Sequence, residues 1–163
     1  MRFDIIALAV AAVAFAAALA GCNGLLATHA PDLSPAYLFM EADIIAKLVM
    51  MTLMLLTFPI LVLGVVGVAL RSAARPVAMV LRVAALASAL LGLSAAAYGW
   101  LNIQTALSRV GPMRIEVTAP SYAEVLLVLA WGLAVAAVAM LFAVGARLRA
   151  GAMGAKPASP TLG

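Results

Sequence analysis

The sequence predicts an all-α membrane protein, a three-helix transmembrane bundle preceded by an N-terminal hydrophobic helix. Two observations carry that expectation. Hydrophobic residues make up 67% of the 163 and charged residues only 10%, whereas a water-soluble domain carries about a quarter charged residues. Segments 48–70, 83–108 and 125–146 contain no charged residue, and about 20 apolar residues suffice to cross the hydrocarbon core as a helix. All three are rich in Ala, Leu and Val without period-2 alternation, which favours helices over barrel strands. The spans are expected at about 44–70, 82–107 and 121–146.

The first segment, 1–30, has two readings. Arg2 supplies a short basic region, weakened by Asp4, and 5–18 form an apolar run ending in Leu19-Ala20-Gly21-Cys22. That ending looks like a bacterial lipobox, with Cys22 as the candidate lipidation site of a cleaved signal segment. The other reading is a retained fourth transmembrane helix with Cys22 as a small buried thiol. A single cysteine excludes an internal disulfide or a cysteine-based metal cluster.

A bundle over 31–149 follows. Its opening linker, 28–40, holds Pro31, Pro35 and His29, the single histidine, which reads as a solvated loop residue. Glu41 and Asp43 open the next helix, where acids complement the helix dipole. Lys47 sits at the membrane boundary and snorkels. Pro59, with Gly64 and Gly67 after it, predicts a kink. In the second span of the bundle Ala85, Ala89, Gly92, Ala96 and Gly99 recur at helical spacing, a pattern that lets helix backbones approach closely. Asn102 and Gln104 lie towards its far end. Residues 150–163, with Pro157 and Pro160, read as a disordered tail.

The net charge is +4, and its distribution gives orientation. Arg71, Arg75 and Arg82 lie between the first two spans of the bundle, and Arg147, Arg149 and Lys156 follow the third. Arg109 and Arg114, with Glu116 beside them, occupy the other loop. The positive-inside rule places the 71–82 turn and the C-terminus in the cytoplasm of a bacterial inner membrane. These arginines flank spans, so they read as orientation signals rather than a nucleic-acid surface.

The sequence holds no Ser/His/Asp set, phosphate loop, dinucleotide fingerprint or metal-ligand cluster, so neither an enzyme nor a cofactor is expected. Glu124 is the ionisable group of most interest, because an acid within a span is a functional candidate. Ser121-Tyr122-Ala123-Glu124 also fits a capping box, in which Ser caps and Glu reaches back. Both readings stand on spacing alone.

Three stretches resemble the MotA/TolQ/ExbB proton-channel family and together cover about 33–149. LSPAYLFMEADIIAKLVMMTLMLLT (33–57) is similar to the entrance of the first family helix. LRVAALASALLGLSAAAYGWLNIQTAL (81–107) and APSYAEVLLVLAWGLAVAAVAML (119–141) are similar to its last two helices. The resemblance implies a homo-oligomer, a pentamer in the family, around a pore lined by those last two helices. It also implies a single-span ExbD/TolR-like partner and energy transduction driven by the proton-motive force. Glu124 matches the pore-region acid and would handle protons. Ala96, Val128 and Leu129 fall where the family has pore-lining threonines, and Ala89 and Val138 where it has prolines. The long cytoplasmic insert of the family is reduced to 71–82. Ala, Val and Leu cannot relay protons as hydroxyls do, so a drier pore is implied. A non-conducting scaffold or assembly subunit on the same bundle is therefore the second expectation.

Overall fold

A computed structural model describes residues 2–70, 72–111 and 113–151, and the described residues form five helices. These are α1 (Arg2–His29), α2 (Pro35–Glu41), α3 (Ile44–Ala69), α4 (Ala74–Val110) and α5 (Ile115–Gly151). Among the described residues, α1, α3, α4 and α5 are long and apolar enough to span a membrane. Arg71, Lys156 and the tail from 152 onward lie outside the described residues.

Local chemistry sets most boundaries. Ser34 caps α2, its Oγ accepting from the Tyr37 N–H at 3.2 Å. Asp43 caps α3, accepting from the Ile45 N–H at 3.4 Å. Glu41 belongs to the end of α2 and not to the first turn of α3, so only Asp43 serves the α3 dipole directly. Gly111 ends α4 with φ 91°, a left-handed backbone that suits glycine, and its N–H returns to the Leu107 carbonyl at 2.9 Å. Pro59 lies inside an unbroken α3.

The four long helices alternate in direction. Arg147 Nη1 on α5 lies 2.9 Å from Asp4 Oδ2 on α1, while Gly21 of α1 faces Leu126 of α5, so α1 runs antiparallel to α5. Gly64 and Gly67 of α3 face Phe142 and Ala146, which makes α3 parallel to α5. Gly92 meets Gly132 and Gly99 meets Val125, which makes α4 antiparallel to α5. Asp4, Arg75, Arg82, Arg147 and Arg149 thus gather at one end of the bundle, the arginine end. His29, Asp43, Arg109 and Glu116 mark the far end.

Helix α5 is the hub, packing on α1, α2, α3 and α4. Its tightest partner is α4. A Cβ added at Gly92 would stand 2.8 Å from the Gly132 Cα, and one added at Gly132 would stand 2.9 Å from the Ser88 carbonyl oxygen. The backbones therefore touch, as small-residue crossings in lipid do. Ala85, Gly92 and Ala96 of the small-residue series are buried on this face, while Ala89 and Gly99 lie at its margins.

Apolar packing fills the arginine-end half of the bundle. Leu53 and Ile60 of α3, Leu81 of α4 and Val135 and Ala139 of α5 form one buried cluster, with Leu8 of α1 against it. Outward-facing Leu55, Phe58, Val83, Leu86 and Leu141 are each more than half exposed, as expected of surfaces that lipid solvates. Hydroxyls on these helices turn inward onto their own backbone: Thr52 donates to Leu48 at 2.7 Å and Ser88 to Ala84 at 2.8 Å.

Candidate functional site

Two polar sites occupy opposite ends of the bundle. The far-end site grows from a difference in helix length. Helices α4 and α5 have 37 residues each, about 55 Å at 1.5 Å per residue, against about 30 Å of hydrocarbon. Helix α3 starts level with Glu124, so the α4–α5 hairpin extends past it by roughly two turns. The step between them is a cleft of about 440 Å³. Asp43 and Ala46 line one wall, Ala95, Tyr98, Gly99 and Asn102 another, and Thr118, Ser121, Glu124, Val125 and Val128 a third.

Glu124 sits in that cleft, half-buried. Its Oε1 accepts from the backbone N–H of Asp43 at 3.0 Å, so it helps cap the N-terminus of a neighbouring helix. This corrects the capping-box reading. Helix α5 begins at Ile115, which leaves Pro120 and Ser121 inside it, and Glu124 has no helix start of its own to close. The start of α5 follows from the Gly111 stop, which turns the chain sooner than a cap at Ser121 requires. Among the described residues no other group hydrogen-bonds this carboxylate. Asp43 and Lys47 are the charged side chains whose fields reach it.

The pore-lining candidates divide. Ala96 and Val128 are 6% and 2% exposed, enclosed by the chain itself, with Val128 forming part of the cleft floor. Leu129 is half-buried one position further along α5. Cys22 is fully buried with Leu26, Leu38, Ala123 and Leu127, so α1 and α2 are sealed against α5 at the sulfur. Asn102 is exposed on the cleft wall and Gln104 is exposed beyond it.

The arginine-end site was not evident from spacing. Asp4, 7% exposed, pairs with Arg82 of α4 and with Arg147 of α5, the latter at 2.9 Å. Two guanidiniums around one carboxylate offset the cost of placing that charge in a low-dielectric setting. Arg82 Nε is itself buried without a hydrogen-bond partner among the described residues, so the terminal nitrogens carry the pairing. The signal was an acid near the start of an apolar helix, which in a membrane calls for a named partner. Read as part of a signal region, Asp4 looked only like a flaw.

Between the two sites lies the apolar layer of Leu53, Ile60, Leu81, Val135 and Ala139, each no more than 5% exposed. Ser88, at the α4–α5 crossing, is the nearest buried hydroxyl, and its proton is committed to Ala84. Comparison with family models, curated proteins and solved structures yields no match to this chain.

Proposed function

We propose that this chain is a multi-pass subunit of a bacterial inner membrane that works as a non-conducting scaffold within a larger assembly. The apolar layer between the acidic cleft and the Asp4 cluster carries this reading. A proton needs a chain of hydroxyls, carboxylates or waters, and close-packed Leu, Ile, Val and Ala offer none. The charged groups inside the bundle also have structural roles. Glu124 holds the start of α3, and Asp4 ties α1 to α4 and α5. Helix α1 is in this reading a retained fourth span. The gathering of Arg75, Arg82, Arg147 and Arg149 at one end supports, by the positive-inside rule, a cytoplasmic location for that end and the C-terminus in this reading.

One observation favours a second reading, a proton-motive-force-driven subunit of the MotA/TolQ/ExbB type. Glu124 opens onto a cleft at the end opposite the arginines, where a proton would enter. Conduction would then run between copies of a homo-oligomer, around an ExbD/TolR-like partner, and not through one chain.

Liposomes containing the purified chain and a trapped pH dye separate the two. The scaffold reading predicts proton flux equal to that of empty liposomes under an imposed potential, for the native chain and Glu124→Gln alike. Flux that Glu124→Gln abolishes would overturn it in favour of the channel.

A further inference from the structure

We propose that the far-end cleft is a binding site for an organic ammonium group carried on a short apolar body. This goes beyond the scaffold reading and does not depend on whether the chain conducts.

The lining determines the ligand class. The cleft holds two carboxylates, Asp43 and Glu124, and no lysine or arginine. Glu124 uses Oε1 to receive the Asp43 N–H, and its carboxylate makes no other hydrogen bond among the described residues. A carboxylate accepts through two oxygens, so capacity remains for one charge-assisted bond from a cation. Tyr98, Asn102, Thr118 and Ser121 add neutral polar groups from two helices, and an aromatic ring such as that of Tyr98 attracts ammonium ions. Below them Ala46, Ala95, Val125 and Val128 make an apolar floor. An anion would meet two negative charges here against the single positive charge of Lys47, which acts on Glu124 from outside the lining, and a wholly apolar guest would strand the polar rim. A cation with an apolar body satisfies both zones.

The site is also preformed. Three separate helices build its walls, and the Glu124–Asp43 bond joins two of them directly. A volume of about 440 Å³ lies within the usual range for small-ligand sites. The ammonium has two natural sources, a free amine or a lysine side chain of a partner protein, and the chemistry of the site is the same for both.

Calorimetric titration of the full chain in lipid nanodiscs with benzylammonium tests the proposal, with protein-free nanodiscs as the blank. Saturable one-to-one binding is expected, with benzyl alcohol and benzoate failing to bind. Glu124→Gln keeps the acceptor for the Asp43 N–H and removes the charge, so affinity should fall about tenfold or more. Ser121→Leu, which fills the cleft while retaining both carboxylates, should weaken binding as well and carries the test if Glu124→Gln fails to fold. Glu116→Gln, outside the cleft, should bind as the native chain does. Competition by an N-acetyl-lysine amide would assign the ammonium to a partner's lysine, and its failure to compete would assign it to a free amine. Unchanged affinity in Glu124→Gln, equal binding of benzyl alcohol, or no saturable binding of the amine would overturn the proposal.

Discussion

Arg147 Nη1 stands 2.9 Å from Asp4 Oδ2, so the first and last membrane spans are tied by one carboxylate that Arg82 of α4 also holds. Asp4 therefore joins three helices at the arginine end. Asp4→Asn leaves two guanidiniums facing an amide. Because Arg82 and Arg147 are 30% and 41% exposed, water relieves part of that loss. The expected destabilisation is about 1–3 kcal/mol, below the cost for a fully buried pair. Thermal unfolding in detergent reads this directly, and the double change Asp4→Asn with Arg147→Gln should cost less than the sum of the single changes.

The α4–α5 crossing depends on two glycines. Gly132→Ala drives a methyl into the Gly92 backbone and the Ser88 carbonyl, and overpacking of this kind costs about 1–3 kcal/mol. Gly24, on α1, has nothing within 4 Å of an added Cβ. Gly24→Ala should be neutral or stabilising by up to about 1 kcal/mol, since alanine is the better helix former. Paired melting curves check the contrast, and equal losses at both positions would refute the close crossing.

Glu124 holds the start of α3 through a hydrogen bond, not through its charge alone. Glu124→Ala should lose about 0.5–1.5 kcal/mol, the net worth of that bond, because Asp43 is exposed and water can take up its freed N–H, while Glu124→Gln, which retains a side-chain oxygen, should stay close to the native midpoint. The same pair of variants, melted side by side, separates a structural role from an electrostatic one.

Cys22 is fully enclosed between α1, α2 and α5. A membrane-impermeant maleimide should leave the native protein unlabelled over a time in which detergent-denatured protein reacts completely. Prompt labelling of the native protein would show that α1 is not packed as described.

The three later spans and the small-residue face of α4 were legible because they rest on local patterns, namely unbroken apolar runs and small residues at helical spacing. The far ends of α4 and α5 were not. The expected span starts at residue 121, yet α5 begins at Ile115, because Gly111, with its positive φ, turns the chain earlier. That error moved Glu124 from a helix interior to a helix start and produced the capping-box reading. The contacts of Glu124 with Asp43 and of Asp4 with Arg147 join residues 81 and 143 positions apart. No local spacing encodes such pairs. The antiparallel pairing of α1 with α5 brings Asp4 level with Arg147, and the parallel pairing of α3 with α5 brings Asp43 level with Glu124.

In the proposed reading α1 is a retained fourth helix, held by Asp4 and sealed at Cys22. Mass spectrometry of the protein extracted from its native membrane tests this most directly. Peptides covering residues 2–21 in the mature chain and an unmodified Cys22 are expected. A mature chain that begins at a lipid-bearing Cys22 would contradict it.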